Sequence, residues 1–186
     1  MRQLRHVFWR SWLTNVRDKA LFQVRLIQNI VIAIFAGLLY LGQPDGQKAV
    51  QNINGAIFLI ITNATYSNAF SVINVFPAEL AICKREHQNG MYRISVYYLC
   101  KTLSDVPVFT LLPIIFATVL YFMVGFRLDA GAYFTCVGTA ILLTHVVVSF
   151  GYFCSTMAGD VSVALSIAGP ICVPFMLFGG FFLNDA

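Results

Sequence analysis

An all-α, polytopic transmembrane helix bundle is the fold class this sequence predicts, and three observations predict it. Hydrophobic residues fill 59% of the 186 positions and charged residues only 11%, against about 25% charged in a soluble domain. Five apolar stretches each approach the roughly 20 residues that a helix needs to cross about 30 Å of hydrocarbon. Lys and Arg fall unevenly on the segments that join those stretches. Helices are expected because open strands would leave backbone N–H and C=O groups unpaired in lipid.

The first element, within residues 1–22, reads as an amphipathic connecting helix. Leu4, Phe8, Trp12 and Val16 recur at helical spacing, with Arg2, Arg5, Arg10 and Arg17 interleaved. Trp and Arg at this density suit a membrane interface; a surface helix of a neighbouring soluble domain is the alternative. Five spans follow, at about 24–41, 53–75, 106–126, 133–156 and 161–183. Short turns join the first to the second, the third to the fourth and the fourth to the fifth. The segment 77–101 is long and charged, and reads as two helical pieces broken near Asn89-Gly90. Pro77 and Glu79 suit a first helical turn, and Asp105 and Pro107 mark an expected break at the start of the third span. The last span carries Gly169, Pro170, Pro174, Gly179 and Gly180, which make it an interrupted helix rather than a uniform lipid-facing rod.

Charge orients the bundle. Six Lys or Arg lie before or at the start of the first span and four lie between the second and third, whereas the opposite side carries only Lys48 and Arg127. By the positive-inside rule the amino terminus is expected in the cytoplasm and Asn184 on the far side. Met1 leads into Arg2, Arg5 and Arg10 without a short apolar run and cleavage site, so membrane entry is expected from the internal helices. A chain opening on a basic helix is expected to be a segment of a longer protein.

Catalytic and metal chemistry find little support. Cys83, Cys100, Cys136, Cys154 and Cys172 form no Cys-x-x-Cys pair and read as packing thiols. There is no Gly-x-x-x-x-Gly-Lys loop to cradle phosphates and no His-Glu-x-x-His. This chain is therefore not expected to be an enzyme, nor to hold a cofactor or metal. His145 is the one ionisable side chain in mid-membrane, a functional candidate or a neutral ring bonded to a neighbouring helix. Asn63-Ala64-Thr65 matches a glycosylation signal but lies mid-span, out of reach of that modification.

The spacing around Asn63 carries more. Asn63, Tyr66 and Phe70 fall at i, i+3 and i+7 on one helical face, extended by Leu59 and Thr62. An amide, a phenol and a ring in a row read either as a cavity wall or as interhelical packing with polar contacts. Val173, Met176 and Gly180 share a face of the last span, with Phe181 and Phe182 beyond.

Several blocks together resemble the G subfamily of ABC transporters: Val24-Arg25-Leu26-Ile27-Gln28, Asn52-Ile53-Asn54-Gly55-Ala56-Ile57-Phe58, Phe76-Pro77-Ala78-Glu79-Leu80, Tyr98-Leu99-Cys100-Lys101-Thr102-Leu103-Ser104-Asp105 and Leu177-Phe178-Gly179-Gly180-Phe181-Phe182-Leu183-Asn184. Trp9-Arg10-Ser11-Trp12 and Ser149-Phe150-Gly151-Tyr152 are similar to its insect eye-pigment branch. The resemblance covers essentially the whole chain. It implies an ABC-2 type membrane domain with five spans present of an expected six, belonging to a half-transporter that dimerises with a homo- or heteromeric partner. The ATP-binding domain of the full-length chain would bind ATP and Mg and power export of a small, planar or apolar molecule: a pigment precursor, a lipid or a foreign compound. It places substrate between the second and fifth spans of each half, against Leu59, Thr62, Asn63, Tyr66, Phe70, Val173 and Met176. Phe181 and Phe182 would form an outer gate, and Glu79, Arg85 and Glu86 a cytoplasmic coupling contact to the ATPase domain. The plasma membrane or an intracellular granule membrane is the expected location. The rival reading is a non-transport polytopic sensor or scaffold, which needs no stiff element at 77–101.

Overall fold

The computed structural model describes residues 2–17, 19–41, 47–126 and 129–177. Six helices follow one another: α1 (Arg2–Arg17), α2 (Lys19–Leu39), α3 (Gln47–Gln88), α4 (Ile94–Val124), α5 (Ala130–Ala158) and α6 (Val161–Leu177). No strand occurs among the described residues. Phe22–Leu39, Asn52–Gln88, Ile94–Val124 and Ala130–Ala158 are long and apolar enough to cross a membrane. The described part of α6 is apolar but 17 residues long, and the rest of the expected fifth span, 178–183, lies outside the described residues. The chain is a multi-pass membrane protein. Its outward stripes, such as Val24, Ile27, Val31, Phe35 and Leu38 on α2, recur at helical spacing and would be costly to hydrate.

Two expected breaks are absent. Helix α3 runs unbroken through Pro77 to Gln88, and α4 runs through Asp105, Pro107 and Pro113. A proline removes one backbone donor and crowds the carbonyl four residues back. Packing on both sides holds the path here: Ile73, the residue whose carbonyl Pro77 crowds, is fully buried, and Phe76 nearly so. The expected loop 77–101 is therefore the continuation of α3 and the first turns of α4, joined by a short turn at 89–93. The turn falls at the expected Asn89-Gly90, where Gly90 adopts φ +73°, a region costly for residues with a Cβ. Gly125 and Gly159 close α4 and α5 in the same left-handed conformation, each donating its N–H back to the helix end. Asp129 caps α5 by accepting from the Gly131 N–H.

The interior forms three apolar layers. At one end, Ala33 and Ala36 of α2 meet Ala56 and Ile60 of α3, Phe116, Ala117 and Leu120 of α4, and Val137 and Ala140 of α5. Deeper along α3 lie Val72 and Phe76 against Phe109, Val148 and Tyr152. Beside them, Ile73 packs on Cys154 and on Ala164 and Ala168 of α6. Small residues let the backbones approach, as expected where lipid offers no hydrophobic drive between helices. Gly151 of α5 is an example: a Cβ there would stand 3.1 Å from the Val72 Cβ and 3.3 Å from the Ala69 carbonyl.

Candidate functional site

The end of the bundle opposite the alanine-rich layer carries a chain of charges. Lys101 of α4 places its ammonium 2.9 Å from Glu79 Oε1 of α3 and 3.4 Å from Asp105 Oδ1 one turn along. Asp105 also accepts from the Asn15 amide of α1 at 2.6 Å and from the Tyr152 hydroxyl of α5. Lys101 and Asp105 are buried, so each charge depends on these partners. Farther out, Glu86 of α3 receives Arg10 of α1 at 2.8 Å and the Tyr92 hydroxyl at 2.6 Å. Burial and the Glu86 carboxylate push the Tyr92 phenol well above its usual range, so it stays a donor at neutral pH. Tyr97 stacks on Tyr92 at 5.9 Å and reaches Glu79 at 3.4 Å. Two glutamates seven residues apart on α3 thus each hold one cation and one phenol, and α1, α3, α4 and α5 are tied together.

Two cavities flank this cluster. One of about 70 Å³ is bordered by Asn15, Arg25, Ser71, Glu79, Lys101 and Tyr152. Arg25 donates to the Ser71 carbonyl at 3.1 Å and lies over the Phe109 ring. The other, of about 130 Å³, separates α1 from α3 and α4 and is bordered by Arg10, Cys83, Glu86, Tyr92 and Lys101. No group of three or more His, Cys, Asp or Glu able to hold a metal occurs among the described residues. The sequence has no Gly-x-x-x-x-Gly-Lys phosphate-binding loop.

Of the coupling residues expected from sequence, Glu79 and Glu86 are engaged inside the chain, and only Arg85 is fully displayed at the surface. The face on α3 is divided. Leu59 packs against the alanine-rich layer, and Phe70 packs toward α6 beside Ile73 and Ala168. Between them, Asn63 donates to Asn29 of α2 at 3.3 Å, Thr62 donates to the Phe58 carbonyl at 2.7 Å, and Tyr66 stands 5.6 Å from Phe70. Thr62, Asn63, Tyr66 and Phe70 are all half-buried. On α6, Val173 is exposed and Met176 half-buried; Gly180, Phe181 and Phe182 lie outside the described residues. His145 meets the Thr110 hydroxyl at 3.0 Å, which joins α5 to α4.

Sequence reasoning missed Lys101, Asp105, Tyr152, Asn15 and Asn29 as members of a site. The signal for two of them was available: Lys101 and Asp105 are opposite charges at i, i+4 in an otherwise apolar helix, where a charge needs a partner. Tyr152 gave none.

The ABC-2 type transporter family matches residues 2–185, and the chain belongs to that family. It is 45% identical over 183 residues to "Protein white" of Drosophila melanogaster, covering 98% of this chain and 27% of that protein. It is 37% identical over 178 residues to "ABC transporter ATP-binding protein/permease wht-1" of Caenorhabditis elegans, covering 96% and 26%. It is 30% identical over 183 residues to the "Broad substrate specificity ATP-binding cassette transporter ABCG2" of Mus musculus, covering 98% and 28%. These relatives place it with the G subfamily, on its White-like side. The chain spans about a quarter of the length of the curated relatives it matches.

Proposed function

We propose that this chain is the membrane part of an ATP-driven half-transporter that exports small, planar, largely apolar molecules through a cavity shared with a second half. The charged cluster carries the reading. It fastens α1 and the extended ends of α3 and α4 into one stiff unit, which is what an exporter needs to receive force from an ATP-binding domain. A flexible scaffold loop would not bury Lys101 between two carboxylates. In this reading the charged end faces the cytoplasm, and Arg85 with the outer surfaces at Glu79 and Glu86 meets the ATPase domain of the full-length chain. Substrate lies between α3 and α6 of each half. Tyr66 stacks on it, Asn63 bonds it, and Leu59, Thr62, Phe70, Val173 and Met176 line its path. Phe181 and Phe182 close the outer side with their dimer mates.

Two variants of the full-length protein test this. Tyr66→Ala should weaken binding of an aromatic substrate about two- to tenfold, the worth of ring stacking beyond simple burial, with dimerisation and expression intact. Phe182→Ala should leave binding nearly unchanged but alter ATP hydrolysis or let substrate leak. If both variants misfold or fail to dimerise, these residues are structural and the path lies elsewhere.

A further inference from the structure

We propose that Asn29 is a positioning residue: it turns the Asn63 amide so that the site offers substrate hydrogen-bond acceptors and selects planar ligands carrying an N–H or O–H donor. The proposal rests on the reading of Asn63 as a substrate contact. Its argument is one of polarity, followed atom by atom.

Asn29 is 7% exposed on α2. Its Nδ2 donates to the Arg25 carbonyl one turn back, at 3.1 Å. A backbone carbonyl can only accept, so this bond fixes which end of the Asn29 amide carries the hydrogens. Its Oδ1 is thereby presented to α3, where Asn63 lies 3.3 Å away. Only an N–H can donate to that oxygen, so Asn63 must turn its Nδ2 toward α2. The Asn63 Oδ1 is left over. It makes no hydrogen bond among the described residues, and the side chain is half-buried rather than sealed in. The void bordered by Asn29, Asn63 and Asn68 is about 10 Å³, at the lower limit for one water, so the two amides meet directly. Asn68 donates from Nδ2 to the Ala64 carbonyl at 2.7 Å, and among the described residues no bond joins it to Asn63.

The neighbour on the same face has the same polarity. The Thr62 hydroxyl has one hydrogen, and it goes to the Phe58 carbonyl; toward a ligand it can only accept. Thr62 Oγ1 and Asn63 Oδ1 are therefore two adjacent oxygens left to accept from a ligand, with the second Asn63 N–H the one donor beside them. A site built to accept rejects an analogue without the donor, because its own lone pairs are then desolvated and unpaired.

The test uses the full-length dimer in lipid nanodiscs and three fluorescent planar probes: carbazole, which has one ring N–H; N-methylcarbazole, which lacks it; and acridine, which can only accept. Affinities are read by titration against empty nanodiscs. The wild type should bind carbazole about tenfold more tightly than N-methylcarbazole, and more tightly than acridine, to which the site offers only the one Asn63 N–H. Asn29→Ala should reduce that ratio to about twofold or less, since the freed Asn63 amide can present either end. Asn29→Thr should preserve it, because a threonine hydroxyl donates back to the Arg25 carbonyl and still accepts from Asn63. A wild type that binds all three alike, or prefers acridine, overturns the proposal without any variant, and so does an Asn29→Ala protein with the carbazole preference intact. Should Asn29→Ala fail to assemble, the wild-type ratio and Asn29→Thr decide. Asn63→Ala separates the two layers. Weakened carbazole binding in that variant upholds Asn63 as a contact whatever becomes of Asn29. Unchanged affinities for all three probes show that the reading of the cavity itself is wrong.

Discussion

Replacing Lys101 by methionine removes the cation that, among the described residues, pairs with both Glu79 and Asp105. The Lys101 side chain is 10% exposed, that of Asp105 11% and that of Glu79 25%. Asp105 keeps its bonds from Asn15 and Tyr152, whereas Glu79, among the described residues, keeps the long contact to Tyr97. Breaking a fully buried pair costs about 3–5 kcal/mol; the remaining donors and the partial exposure of Glu79 reduce this to about 2–3 kcal/mol. An exposed pair would be worth about 0–1 kcal/mol. The buried thiols of Cys83, Cys100, Cys154 and Cys172 supply the assay: a thiol-reactive dye on the purified full-length protein reports heating-induced exposure. At about 2–4 °C per kcal/mol, the transition should fall by about 4–12 °C. Adding Glu79→Gln should recover much of the loss, because the uncompensated carboxylate is then gone. A Lys101→Met protein that melts with the wild type, or a double variant whose losses simply add, would refute the reasoning.

Three further outcomes follow from the same geometry. Arg10→Ala removes an ion pair whose arginine side chain is 62% exposed; the transition should move by no more than about 1 kcal/mol, while substrate-stimulated ATP hydrolysis falls, and unchanged stimulation would make the Arg10–Glu86 contact incidental. Gly151→Ala pushes a methyl group against Val72 and the Ala69 backbone, which should cost about 1–3 kcal/mol in the same thiol assay. A cysteine placed at Gln47 should react with an impermeant reagent from outside the cell and one at Gln88 should not; the reverse pattern would invert the proposed orientation.

The helical class, the number of apolar stretches and the turn at Asn89-Gly90 were legible because they depend on local quantities: run length, charge density and a residue that tolerates positive φ. Proline positions were not decisive. Whether Pro77 or Pro107 ends a helix depends on whether packing holds the crowded backbone in line, and here Phe76 of α3 and Phe109 of α4 are buried together against Val148 and Tyr152 of α5. The face at Asn63, Tyr66 and Phe70 was visible as a periodicity, but which way each amide points was not, since that follows from a carbonyl on α2. Glu79, expected as a coupling contact to another domain, is half-buried and paired within the chain because Lys101 approaches it from a helix that begins six residues after α3 ends. Sequence by itself determined where the chain can bury itself in lipid, because the cost of placing a polar side chain in hydrocarbon depends first on its own chemistry. Tertiary structure alone decided which of those costly polar residues meet, because pairing distances are set by how the helices cross and not by their order along the chain.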